Sequence, residues 1–235
     1  MTEIIQSNPG DPSHTTRIGT GLLAVFCDLA PEWQIDFRPW LADDMFPSRV
    51  TIGFGPAASF DLIPDAMTMQ SATPPQAFVT CYIAPTLGDL YGAPYQGLRM
   101  TRAPRDATYH QQMQNPARYT AGWVGPGIES SEPGFAPVLA IDRFDLAPSD
   151  IQAFNIWYET EYLPACRDVP GLVRLRRYLA MEGEHQHFLA YEFSSDQDLT
   201  GNAWQKLRTA EIWDRCRFAP GAPAAYRKVI EADIA

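Results

Sequence analysis

The tetrapeptide Asp-Leu-Ala-Pro stands at 28–31 and again at 145–148, and its surroundings match as well: CDLAPEWQIDFRPWLADDMFP against FDLAPSDIQAFNIWYETEYLP. Asp28 and Asp145, Phe37 and Phe154, Trp40 and Trp157, and Pro47 and Pro164 are each 117 residues apart. A second block repeats farther on, DLYGAPYQGLR (89–99) against DLTGNAWQKLR (198–208), at a separation of 109. Between the blocks FVTCYIA (78–84) aligns with FLAYEFS (188–194) at 110, and beyond them Tyr119 aligns with Tyr226 at 107. A chain that writes one pattern twice is constrained to a fold of two similar halves.

Period and punctuation give the elements of each half. Residues 20–28 and 136–145 are apolar runs of strand length. Pro31 and Pro148 suit the first turn of a helix, and apolar residues follow at helical spacing: Trp33, Phe37, Trp40 and Leu41, then Ile151, Phe154, Trp157 and Tyr158. Pro47 and Pro164 are expected to close these helices, because proline disfavours helical geometry in the residue before it. Second strands are predicted over 56–63 and 172–180, third strands over 77–84 and 187–194, helices over 86–102 and 196–216, and last strands over 117–124 and 224–232. The order is βαββαβ twice: an α+β chain of two ferredoxin-like units, each an antiparallel sheet with both helices on one face. Each sheet has a second, bare face, and pairing the two sheets into an intramolecular α+β barrel buries both. The expected organisation is a flexible N-terminal tail over 1–18, repeat 1 over 19–125, a linker over 126–134 and repeat 2 over 135–235.

Composition narrows the partners. The net charge of −10 without a Lys/Arg run argues against nucleic acid or an anionic membrane surface. No stretch reaches the roughly 20 apolar residues of a membrane span, and 1–18 lacks the regions of a signal peptide, so a soluble cytoplasmic protein is expected. Cys27, Cys81, Cys166 and Cys216 are scattered, which predicts reduced thiols rather than a zinc or disulfide framework.

The pattern Asp145, Pro148, Phe154, Trp157, Tyr158, Glu161, Tyr162, Leu163, Pro164, Pro170, Gly171, Arg176, Arg177 and Tyr178 resembles the EthD-like members of the dimeric α+β barrel superfamily. The resemblance extends over nearly all of 20–232 and is stronger in repeat 2. It implies a barrel made within one chain, where single-unit relatives make it by dimerising. It does not select a reaction, because the superfamily includes polyketide cyclases, cofactor-free monooxygenases, muconolactone isomerase, decarboxylases and haem-binding members. The helix-end position that is often His in those relatives is Met45 in repeat 1 and Tyr162 in repeat 2.

Strand alternation nominates the residues facing the barrel. In the third strands Val79, Cys81 and Ile83, with Leu189, Tyr191 and Phe193, are expected to face the helices. Phe78, Thr80 and Tyr82, with Phe188, Ala190 and Glu192, are expected to face the barrel. Glu192 is then a buried carboxylate, either a general acid or base or one half of an ion pair with Arg174 or Arg176. Asp142, with Val25 as its counterpart, is read the same way on the first strand, its alternative being a pair with an Arg of the neighbouring strand. Arg174, Arg176 and Tyr178 alternate on a second strand, where they either grip a carboxylate or phenolate or stand as solvated charges at a sheet edge. His110, in a segment without counterpart in repeat 2, is a general-base candidate in a loop at a barrel mouth. His14 lies in the tail, and His185 and His187 read as a turn-exposed pair rather than metal ligands. Tyr82, Tyr119, Trp123, Phe78, Phe188 and Tyr226 would supply aromatic walls.

No GxGxxG, Walker, GxSxG or HExxH motif occurs. The leading expectation is therefore a cofactor-independent enzyme acting on a small aromatic or polyketide-like compound by acid–base chemistry: a lyase (decarboxylation or retro-aldol cleavage) or an isomerase/cyclase. Neither cofactor nor metal is expected, and an internal pair of halves can pair again as a homodimer. The rival readings are a haem-binding barrel with His110, His185 or His187 as ligand, and a non-catalytic binding or interaction module.

Overall fold

Two four-stranded sheets close on each other edge to edge. The computed structural model describes residues 19–67 and 73–232, so the expected tail and His14 lie outside the described residues. The strands are β1 (Gly21–Asp28), β2 (Ala57–Leu62), β3 (Phe78–Ala84), β4 (Gln114–Trp123), β5 (Val138–Leu146), β6 (Leu172–Glu182), β7 (His187–Phe193), β8 (Cys216–Phe218) and β9 (Ala224–Ala232). The first half orders its strands β4-β1-β3-β2 and the second β9-β5-β7-β6. Antiparallel pairing of β2 with β9 and of β4 with β6 joins them into an eight-stranded barrel, to which short β8 adds along β5. The helices α1 (Pro31–Gln34), α2 (Phe37–Trp40), α3 (Phe46–Val50), α4 (Ala93–Met100) and α5 (Pro104–Gln112) belong to the first half. The second half carries α6 (Ile151–Trp157), α7 (Leu163–Arg167) and α8 (Asn202–Arg208).

The barrel interior is filled. Leu22, Ala24, Phe26, Val79, Cys81, Ile83, Leu139, Ile141, Tyr119, Tyr178, Phe188 and Tyr226 pack there as one buried cluster. Phe26 meets Tyr119, Phe188 and Tyr226 at ring-centroid distances of 5.9, 6.3 and 6.1 Å. The Arg143 guanidinium lies 4.1 Å over the Phe26 ring and closes one end of this stack. Both helix layers pack on the outside, around Phe37, Trp40 and Tyr109 in the first half and around Phe154, Trp204 and Trp213 in the second.

The third strand of the first half faces opposite to expectation. Val79, Cys81 and Ile83 point into the barrel, while Phe78 and Tyr82 pack under the helices. In β7 the expectation holds: Leu189, Tyr191 and Phe193 pack under the helices, and Phe188 lies inside. Pairing explains the difference. Cys27 lies opposite Phe78 and Phe144 opposite His187, so His187, not Phe188, is the equivalent of Phe78. The true separation is 109, the same as in the helical block, and a slip of one residue turns every side chain to the other face.

Pro47 and Pro164 do not end their helices. Each follows a π-helical turn, Leu41–Met45 and Tyr158–Tyr162, and α3 and α7 continue beyond. The Phe46 and Leu163 N–H groups reach back five residues to the Leu41 and Tyr158 carbonyls. That wider turn brings each proline in as the start of a new helical segment, where its missing N–H costs little.

The second half's layer is sealed around a buried ion pair. Asp142 is 0% exposed and faces the helices, not the barrel. It accepts hydrogen bonds from Arg208 Nη1 and Nη2 at 2.6 and 2.7 Å and from Tyr191 Oη at 2.9 Å. Its partner thus comes from a helix rather than from the neighbouring strand. Arg208 is in turn roofed by Trp213, 4.7 Å from its guanidinium. His185 and His187 are buried, not turn-exposed, and His187 stacks on Phe144 at 5.2 Å.

Two outcomes follow for stability. Arg208→Met strands the Asp142 carboxylate without a counter-charge and is expected to cost about 3–5 kcal/mol, with part regained on adding Asp142→Asn; urea denaturation measures both. Burial first, and the nearby Arg177 charge second, hold the His187 imidazole down at about 4. Unfolded, it takes up a proton near its ordinary 6.5, so its contribution is complete above that pH and is lost as pH falls towards 4. The loss is of the order of 3 kcal/mol at most, and His187→Leu should flatten the melting temperature across this window.

Candidate functional site

Between sheet and helices of the first half lies a cavity of about 160 Å³, the size that in a protein core accommodates a benzene ring. Its apolar wall comes from β1 (Leu23, Val25, Cys27) and from Phe37, Trp40, Leu41 and Met45. Leu41 and Met45 are the first and last residues of the π-helical turn, so this wider turn contributes directly to the lining. Polar groups complete the lining: Thr80, Tyr82 and Arg118 on the strands that flank β1, and Arg49, Tyr95, Arg99, Arg102 and His110. Among the described residues the lining holds four arginines and a histidine but no carboxylate, within a chain of net charge −10.

His110 sits in the last turn of α5, on a helix and not in the loop expected from the sequence. Pro104 starts it and Asp106 lies in its first turn, both favourable there. One turn separates Asp106 from His110, which brings His110 Nδ1 to 2.9 Å from Asp106 Oδ1 and also 2.9 Å from the Asp106 carbonyl. Arg102 Nη1 lies 2.7 Å from His110 Nε2. A guanidinium only donates, so Nε2 carries the lone pair and Nδ1 the proton, which it donates to the Asp106 main-chain carbonyl with the carboxylate Oδ1 at the same distance. Burial pushes the Asp106 carboxyl up, but the hydrogen bond and charge of His110 and the charges of Arg49 and Arg102 outweigh it and hold it below its ordinary value. Asp106 therefore stays ionised and orients the imidazole.

Three buried donors that line this cavity have no hydrogen-bond partner among the described residues: Tyr82 Oη, Trp40 Nε1 and Arg49 Nε. Orphaned donors are costly in a core unless something accepts from them. Tyr82 is 1% exposed, and burial raises its hydroxyl well above the ordinary value, so it remains a donor. Burial, then Asp28, pushes the Cys27 thiol up to about 12, which withholds a thiolate from the cavity.

Of the residues nominated from sequence, the cavity gathers His110 and Tyr82. Tyr119, Tyr178, Phe188 and Tyr226 form the barrel interior, and Phe78 packs on Phe37 at 5.2 Å. Glu192 does face the barrel, but there it accepts from Arg174 Nη1 at 2.7 Å and from the Ala136 N–H at 2.8 Å. Arg174 also donates to the carbonyls of Gly134 and Glu132, each at 2.8 Å. Arg176 holds the Glu129 carboxylate and the Gly19 carbonyl, with its guanidinium 5.3 Å over Trp123. These arginines are buried rather than solvated, because β6 pairs with β4 and is no free edge. They fasten residues 129–134 across the barrel end. Arg49, Arg99, Arg102, Asp106 and Arg118 went unnominated. The Pro104 start with acid and histidine four apart was the readable signal for one group of them.

No protein-family profile matches the chain, and no curated protein matches it. Solved structures do. An anthrone oxidase-like protein superposes with a TM-score of 0.59 at 10% identity, over 94% of this chain and 95% of its own. A chlorite dismutase variant from Candidatus Nitrospira defluvii in complex with cyanide gives 0.59 at 12% identity, over 92% of each chain. A protein assigned as a monooxygenase of Lactobacillus acidophilus NCFM gives 0.53 at 10%, over 92% of this chain and 97% of its own. The likeness spans nearly the whole length in each case, and the chain has the α+β barrel fold.

Proposed function

We propose that the chain is an enzyme acting by acid–base chemistry on a small aromatic compound in the cavity of the first half, with His110 as the base. The observation that carries this reading is the Asp106–His110 pair beside an apolar, benzene-sized space. His110 Nε2 takes a proton from an acidic C–H or O–H of the substrate as Arg102 moves aside. The bonding pair stays on the substrate as an enolate or phenolate, which the surrounding arginines stabilise. Asp106 steadies the imidazolium that forms, and the proton then returns to a different atom of the same molecule or to a fragment of it. Isomerisation, ring closure and retro-aldol cleavage all start from this step. That some structural neighbours bear oxidase or monooxygenase names is compatible with it, since an enolate is also the electron-rich form an oxidant attacks.

A haem reading has less support. The cavity has room for one ring rather than a porphyrin, both nitrogens of His110 are engaged, by Arg102 and by Asp106, and His187 is stacked in the second half's core. The non-catalytic reading would need the polar wall to be a packed, satisfied surface, and its orphaned donors argue against that.

The test is carbon-bound proton exchange in D2O, followed by NMR over a panel of enolisable aryl ketones and phenols. The wild-type chain is expected to exchange at least one of them. His110→Gln should slow that exchange by about 10²- to 10⁴-fold and Asp106→Asn by less. An unchanged rate in His110→Gln removes His110 from the chemistry.

A further inference from the structure

The two helix layers differ in a way that identifies what the open one holds. In the second half Arg208 and Tyr191 converge on the Asp142 carboxylate. The matching positions in the first half are Arg99, Tyr82 and Val25. Geometry fixes this equivalence. Gln96 and Gln205 donate to the Leu90 and Leu199 carbonyls at 2.7 and 2.6 Å, which aligns α4 with α8. Leu23 lies opposite Tyr82 as Ala140 lies opposite Tyr191, and Val25 opposite Thr80 as Asp142 opposite Leu189. The first half therefore keeps both donors and replaces the acceptor by a valine.

The consequences are visible in both donors. Tyr82 Oη, the equivalent of the hydroxyl that reaches Asp142, has no partner among the described residues. Arg99 has only loose contacts where Arg208 has a two-pronged pair: Gln96 at 3.5 Å and Glu182 at 3.9 Å. Val25 borders the cavity, and so do Tyr82 and Arg99.

We propose that this cavity binds a small aromatic carboxylate, whose carboxylate group takes the place that the Asp142 side chain fills in the second half. The ligand's two oxygens accept from the Arg99 guanidinium and the Tyr82 hydroxyl, and its ring lies against Trp40, Phe37 and Met45. A guanidinium fork matches a carboxylate in geometry as well as charge. A neutral ligand of the same shape would cover Arg99 without supplying a counter-charge. The inference rests on the reading of this cavity as the functional site but not on His110 being a base. It also sharpens the reaction: a carboxylate clamped this way is stabilised in its charged form, so it serves as the anchor and not as the group expelled. The proton is moved elsewhere on the molecule.

Calorimetric titration of the full chain with benzoate and with benzamide, its uncharged isostere, tests this. Benzoate is expected to bind at least about tenfold more tightly. Arg99→Met should erase that preference, and Tyr82→Phe should weaken benzoate several-fold. Val25→Asp installs the second half's own carboxylate; it should abolish benzoate binding and raise the melting temperature. If Val25→Asp fails to fold, the Arg99 and Tyr82 variants decide alone. The two readings separate by readout: proton exchange in His110→Gln reports the base, and the preference for benzoate over benzamide in Arg99→Met reports the anchor. Equal affinity for benzoate and benzamide, an Arg99→Met chain that keeps the preference, or binding of neither compound would overturn the proposal.

Discussion

The edge pairing of β2 with β9 and of β4 with β6 is the constraint on which the rest depends. Each four-stranded sheet alone has two open edges and one uncovered apolar face. Closing the two into a barrel removes the edges and buries both faces in one step. The closed barrel is then filled by its own aromatics, with Arg143 over one end of their stack and residues 129–134 held by Arg174 and Arg176. With the centre spent on stability, a ligand-sized apolar space has to form outside, between a sheet and its helices, which is where the first half has it.

Much of this architecture is legible in the sequence because it is written twice. Strand limits at 172, 187 and 224, the order of the eight barrel strands and the barrel follow from apolar period and turn residues at matching positions, whereas α5 and β8 do not. The face assignment of β3 did not, for a specific reason: FVTCYIA and FLAYEFS share an initial Phe that favours a separation of 110, whereas strand pairing and the neighbouring helices obey 109. Both strands are buried on both faces, so no polar alternation exposed the slip. The prolines misled differently, since a π-helical turn is a backbone solution with no composition of its own.

The site was only partly legible. His110 stood out because repeat 2 offers no match for it, and Asp142 because repeat 1 answers with valine. The arginines of the cavity did not stand out, as an Arg in a helix or a strand ordinarily reads as surface. Their meaning depends on which charges fail to meet them, and that is a property of three-dimensional neighbours. Glu192 shows the converse. It is conspicuous as a carboxylate on a central strand, yet Arg174 and the Ala136 N–H satisfy it and make it a fastening for the segment that leads into β5.

Carrying both halves in one chain has a physical consequence for this cavity. Where two identical subunits build such a barrel, every substitution appears on both sides, and a carboxylate that seals one helix layer seals the other. Here the halves vary independently. The second spends its helix layer on an internal Asp142–Arg208 pair roofed by Trp213, which contributes rigidity. The first keeps the equivalent arginine and tyrosine, gives up the acid and replaces Tyr162 by the slimmer Met45. The sealed half holds the shared sheet in place, and the open half can therefore keep a Tyr82 hydroxyl without an acceptor and an Arg99 with only long contacts, which a bound anion would satisfy.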